Sequence, residues 1–108
     1  MSAETQSMPS LTNVDRLIHE PSRSVILAVL SAVQSADFLY LLRETGLTKG
    51  NLTVHLSKME AAGYIKIEKT YRGKLPLTLC SITEPGKLAF ENYRGQLKQF
   101  LNDVDEGS

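Results

Sequence analysis

Thr45, Gly46, Leu47 and Thr48 constrain what this 108-residue chain can fold into more than any other stretch. A glycine following Leu41 and Leu42, both placed inward, is the left-handed residue that stops a helix. Thr48, two residues on, is a good N-cap for the next one. Two helices joined by a turn of about three or four residues containing glycine have helix-turn-helix spacing. Asp37 suits the N-cap of the first of the pair, and Phe38 either enters that helix or forms a one-residue piece of strand. The second helix spans 49–62. Its Leu52, Leu56 and Met59 share one face at i, i+4 and i+7, and Gly63 supplies its stop with Tyr64 placed to pack back on Met59.

On the N-terminal side, Leu11, Val14, Leu17 and Ile18 fall at helical spacing with Asn13 as a candidate cap, which predicts a short first helix over 11–19. Pro21 suits the first turn of a second helix. Residues 25–33 are apolar nearly all round, as in a core helix buried on most sides. On the C-terminal side, 64–71 and 77–82 are rich in β-branched, aromatic and aliphatic residues, and Arg72, Gly73, Lys74, Leu75 and Pro76 lie between them. That pattern predicts a β-hairpin with a basic tip at 72–76. Thr83 then caps a last helix with Glu84 and Pro85 in its first turn, and Leu88, Phe90, Tyr93, Leu97, Phe100, Leu101 and Val104 recur along it at threes and fours. The fold class is mainly α with a β-hairpin (α+β): a helix-turn-helix and wing at 11–83 with an N-terminal helix, and a long C-terminal helix at 84–104, between disordered tails at 1–10 and 105–108.

Composition narrows the function classes. Hydrophobic residues are 42% and charged residues 22%, enough for a globular core. The first ten residues carry an acid and no apolar block, unlike a signal peptide. The longest apolar stretch falls far short of the about 20 residues that span a bilayer. One cysteine, Cys80, permits no intrachain disulfide, and no cysteine cluster exists to hold zinc, so a soluble protein of the reducing cytoplasm is expected. No nucleophile motif, phosphate-binding glycine loop or carboxylate pair stands in a catalytic setting. No enzyme activity, metal or obligatory cofactor is therefore expected.

Leu17, Ile18, His19, Glu20, Pro21, Ser22 and Arg23, then Gly46, Leu47, Thr48, Lys49, Gly50, Asn51 and Leu52 running into His55, Leu56, Glu60, Ala61, Ala62, Gly63, Tyr64 and Ile65, resemble small prokaryotic winged-helix transcriptional regulators of the MarR/ArsR-like group. The likeness covers about 14–100. It implies a homodimer that binds operator DNA, with the helix 49–62 in the major groove, the wing 72–76 on the backbone or minor groove, and the C-terminal helix in the dimer contact. The cysteine-pair motif of metal-sensing ArsR relatives has no counterpart here.

The charge distribution points the same way without the family. Lys+Arg and Asp+Glu are each 12, yet 48–74 holds six cations against two acids. The local surplus of four leaves the rest of the chain four short, an uneven distribution suited to phosphate. Lys49 opposes the macrodipole at the first position of its helix, and a DNA phosphate would compensate it. Gly50 suits a backbone that comes close to a duplex. With Leu52, Leu56 and Met59 inward, Gly50, Thr53, Val54, Ser57 and Ala61 face outward, with Asn51 and Lys58 on the flank. Asn51 suits adenine, Val54 a thymine methyl, and Thr53 or Ser57 a base edge or phosphate. Simple capping is the competing role for Asn51 and Thr53. Arg72 and Lys74 complete the DNA-contacting set. His55 and His19 are read as packed or hydrogen-bonded side chains and Cys80 as a small buried hydrophobe.

Along the C-terminal helix, Tyr93, Leu97, Phe100, Leu101 and Val104 form a stripe whose distal half overhangs a small core, since Val104 lies about 20 Å beyond Phe90. The expected partner is the same helix of a second subunit, joined by Leu11, Val14 and Leu17. Leu39 and Tyr40, outward on the third helix, either meet a partner, line a pocket for an unidentified small-molecule effector, or mark a misplaced helix start. The competing function is a winged-helix protein–protein interaction module within a larger assembly.

Overall fold

The computed structural model describes residues 11–107; the expected tail at 1–10 and Ser108 lie outside them. Residues 11–20, expected to begin with a helix, form turns instead. Asp15 is the reason. Its carboxylate accepts from the N–H groups of Leu17 (2.9 Å) and Ile18 (3.3 Å), a local alternative to the helical ladder. Pro21 then pushes Glu20 into extended backbone, φ −149° and ψ 126°. The first helix, α1, accordingly starts at Pro21 and runs over Pro21–Ser31, with the Glu20 carboxylate capping Arg23 N–H at 2.8 Å. The apolar run 25–33 is less enclosed than its composition suggests: Ile26, Leu27 and Leu30 are fully buried, while Val25 is exposed, as is Val33, which lies past the end of α1 at Ser31.

The strand piece expected at Phe38 falls just before it, as β1 (Ala36–Asp37). Phe38 enters α2 (Phe38–Thr45), which Asp37 caps by accepting from Tyr40 N–H at 2.8 Å. Gly46 ends α2 at φ 69°, and α3 (Lys49–Ala61) begins after Thr48, whose hydroxyl accepts from Asn51 N–H at 3.2 Å. At the far end Gly63 turns left-handed at φ 82°. Its N–H reaches Glu60 O (2.9 Å) and Tyr64 N–H reaches Met59 O (3.0 Å), the two bonds of a Schellman stop.

β2 (Ile65–Arg72) and β3 (Leu75–Ile82) pair antiparallel, and β1 adds to the other side of β3, giving the order β1-β3-β2. The hairpin tip is tighter than the expected 72–76. Arg72 pairs with Leu75 and Tyr71 with Pro76, leaving only Gly73 and Lys74 in the turn, with Gly73 at φ 65°. Pro76 is tolerated because β1 reaches only as far as Leu79, so no partner there needs its missing N–H.

α4 (Glu84–Gly107) follows at once, capped by the Thr83 hydroxyl accepting from Gly86 N–H at 3.0 Å. It runs three residues past the expected end at Val104, so 105–107 are helix rather than tail. The core gathers Ile18, Ile26, Leu27 and Leu30 with Leu41, the inner face Leu52, Leu56 and Met59 of α3, Ile65 and Cys80 of the sheet, and Phe90 of α4. Two residues expected at a dimer contact belong to this core instead. Val14 is buried under the turns, and Tyr93, 5% exposed, hydrogen-bonds His19 Nδ1 at 2.7 Å. Leu11 and Leu17 pack against the same core, half-buried. Leu88, read as part of the inward stripe, is exposed. Beyond Tyr93, α4 continues for about 21 Å. The radius of gyration of 17.1 Å exceeds the about 13 Å of a compact chain of this size, in line with that overhang.

Candidate nucleic-acid interface

α2, the turn at Gly46 and α3 form a helix-turn-helix whose second helix spends its whole apolar face on the core. Leu52 and Met59 are fully buried and Leu56 nearly so. The residues expected to touch nucleic acid on this helix, Lys49, Gly50, Asn51, Thr53, Val54, Ser57 and Lys58, are all exposed. They do not all face the same way. Thr53 and Ser57 line a cleft of about 470 Å³ between α3 and the hairpin, together with Phe38, Leu56, Glu60, Ile67, Lys69 and Thr78. The Thr53 hydroxyl donates to Lys49 O at 2.8 Å, so its proton is already engaged. The cap of this helix is the Thr48 hydroxyl, which accepts from the Asn51 main-chain N–H.

The opposite flank of α3 is tied to α1. Arg23 donates to His55 Nδ1 at 3.1 Å; because a guanidinium only donates, that nitrogen carries the lone pair and Nε2 carries the proton. Nε2 lies 3.9 Å from Glu20 Oε2. Burial would raise the Glu20 carboxyl, yet the backbone N–H groups of Arg23 and Ser22 and the guanidinium charge of Arg23 together hold it below its ordinary value. His55 is thus a packed, hydrogen-bonded residue, in keeping with its place beside the apolar face.

The hairpin supplies the second basic element. Arg72 and Lys74 stand exposed at its tip. Lys69, which the sequence marks only as part of the positive surplus, joins the cleft lining. Period-two alternation carries the signal that places it, since Ile67 and Lys69 share the strand face that looks toward α3. Among the described residues, Lys66 pairs with Glu68 at 3.7 Å, while Lys49, Lys58, Lys69, Arg72 and Lys74 have no ion pair. Five unneutralised cations on one helix and the adjoining hairpin make a basic surface that phosphates would neutralise.

The remaining candidate groups are internal. Cys80 is fully buried, and burial with the nearby charge of Glu60 pushes its thiol up to about 11, far from a reactive thiolate. Asp15 accepts a hydrogen bond from the Tyr64 hydroxyl; that bond, followed by burial, raises Tyr64 to about 12. Among the described residues no group of three or more His, Cys, Asp or Glu is placed to hold a metal ion, and no helix is long and apolar enough to cross a membrane.

Comparison with known proteins agrees with this geometry. The model of the winged helix DNA-binding domain matches residues 23–101. The uncharacterized protein MJ0432 of Methanocaldococcus jannaschii is 31% identical over 90 residues, which are 83% of this chain and 98% of that protein. The structure of a transcriptional regulator homologue from Pyrococcus horikoshii OT3 superimposes with a TM-score of 0.80 at 26% identity, over 84% of this chain and 90% of that one. ZitR of Lactococcus lactis, a zinc-responsive MarR family member, shares the fold at a TM-score of 0.60 and 16% identity, over 94% of this chain and 65% of its own.

Proposed function

This chain belongs to the winged helix DNA-binding domain family, and from that premise we propose that it is a sequence-specific transcriptional regulator that grips double-stranded DNA as a homodimer in a prokaryotic cytoplasm. α3 enters the major groove, and the hairpin tip at Gly73 and Lys74, with Arg72 beside it, rests on the backbone or in the minor groove. One observation carries the reading: the exposed face of the second helix of a helix-turn-helix is continuous with a hairpin bearing unpaired cations, Lys49 and Lys58 on one and Lys69, Arg72 and Lys74 on the other. An assembly module needs no such row of unneutralised charge.

The homodimer rests on α4. Leu101 is 58% exposed and Val104 40%, on a helix whose proximal half is already packed. Leu97 and Phe100 are half-buried and continue toward them, with Phe100 beside Leu11. A two-fold pairing of these distal stripes covers the apolar surface and sets two recognition helices about 34 Å apart, one turn of duplex.

Titration with nonspecific duplex at low salt tests the core of the proposal. Binding is expected at micromolar protein and is expected to weaken steeply with salt, by about 0.9 log units per log of salt for each phosphate neutralised. Absence of binding at low salt would reject the DNA reading in favour of an assembly role.

A further inference from the structure

Building on the DNA-binding reading, we propose that Gly50 and Val54 make α3 a reader of thymine: Gly50 lets the helix backbone settle close to the duplex, and Val54 packs on the C5 methyl of a thymine in the major groove. At 100° per residue, the buried set Leu52, Leu56 and Met59 places the outward midline of α3 within about 15° of Val54. Val54 is therefore the large side chain aimed most directly away from the core, and it is 51% exposed. Its neighbours on that ridge, Gly50 and Ala61, are the smallest residues available.

The other candidate readers stand elsewhere. Thr53 and Ser57 turn into the hairpin cleft, and the Thr53 hydroxyl is engaged with Lys49 O. Asn51 and Lys58 lie about 50° to 75° round the opposite side of the midline, toward the groove wall where the phosphates run. Lys49–Ala61 contains no arginine and no glutamine, so the helix lacks the strongest guanine reader and one of the two adenine readers. What remains at the centre is an apolar, branched side chain, whose complement among the groups of the major groove is the thymine methyl.

Gly50 is the second, independent observation. It is a poor helix former inside α3, and the chain itself gives no reason for it. Its φ is not in the left-handed region, and a Cβ added there meets nothing within 4 Å. A bare position one turn before Val54, on the same ridge, has a use only if something outside the chain comes close. The unpaired Lys49 and Lys58 on either flank give that something a negative charge.

The test selects bound sequences from a random-core duplex library with the full chain, then resynthesises the best duplex with deoxyuridine in place of thymidine, one position at a time. That substitution deletes a single methyl group. The wild-type protein is expected to bind about fourfold more weakly for each contacted methyl removed. Val54→Ala is expected to bind the thymine and uracil duplexes equally. Gly50→Ala is expected to keep or raise the melting temperature while its affinity falls several-fold and the thymine-to-uracil ratio narrows toward one. Equal binding of both duplexes by the wild type, an undiminished ratio in Val54→Ala, or wild-type affinity in Gly50→Ala each overturns the thymine reading and leaves DNA binding intact. Enrichment of no sequence overturns the thymine reading, and recovery of no duplex at all overturns DNA binding as well.

Discussion

α3 and α4 are both amphipathic helices, and they dispose of their apolar faces in opposite ways. α3 buries Leu52, Leu56 and Met59 within one chain, and its outer face is small, polar and cationic apart from Val54. α4 buries Phe90 and Tyr93, then carries Leu101 and Val104 outward along a segment with little of the core beneath it. The contrast separates two kinds of partner. A saturated helix with charges left over suits a polyanion, whereas a half-saturated helix with methyl groups left over suits another protein surface.

The harshest way to break that contrast is to charge the α4 stripe. Leu101→Glu with Val104→Glu is expected to shift light scattering from about twice 12.0 kDa to 12.0 kDa and to weaken operator binding by about 100-fold, because bivalent engagement disappears. The isolated fold is expected to keep its melting temperature, since both sites are exposed. A wild-type monomer at micromolar concentration would erase the distinction altogether. Leu97→Glu with Phe100→Glu is expected to have the same effect on mass, at some cost in stability because both residues are half-buried.

Next in size is Gly86→Ala, which strikes where the two helices meet. A methyl at Gly86 collides with the carbonyl of Tyr64 at the end of the α3 stop and crowds Ile82. Overpacking against backbone is expected to cost about 1–3 kcal/mol in chemical denaturation. An unchanged denaturation midpoint would show that the joint yields.

The basic side of the contrast is sharpened by Arg72→Ala with Lys74→Ala. All duplexes are expected to bind more weakly to a similar degree, and the salt slope is expected to flatten by about 0.9 for each phosphate that is no longer neutralised. An unchanged slope removes the hairpin tip from the interface. The smallest expected effect is that of Tyr64→Phe. Tyr64 is raised to about 12 by its bond to Asp15, so it stabilises the fold fully below its ordinary value near 10 and loses that contribution as pH rises toward 12. The substitution is expected to cost about 1 kcal/mol at neutral pH and to flatten the alkaline side of the stability profile.

α3 is legible in the sequence to within a residue, because everything that defines it is local: Thr48 before it, Gly63 after it, and three apolar residues at helical spacing between. The turns at 11–20 carry the same helical spacing and no helix. There the outcome depends on Asp15 capturing two nearby N–H groups and on the tyrosine at position 64, a contact that spacing cannot reveal. Tyr93 shows the same limit from the other side. Its period along α4 matches Leu97 and Phe100, and only the position of His19 shows that it is already taken. Thr53 points outward on a helical wheel, yet the hairpin standing beside it makes that direction a cleft. Local order is readable from the chain, and what each face meets is not.

The joint at Gly63, Tyr64, Thr83 and Gly86 also has a mechanical meaning. Thr83 N–H donates to Tyr64 O at 3.0 Å, its hydroxyl donates to Gly63 O at 2.6 Å, and Gly86 sits flush on the same peptide. The end of α3 and the start of α4 are thereby welded across the base of the hairpin. α4 is a lever about 36 Å long, and a swing of about 5° at its far end amounts to about 3 Å, nearly the rise of one base pair. In the two-fold pair proposed above, tilting that lever at its far end would turn both α3 helices relative to a bound duplex without any contact to α3 itself.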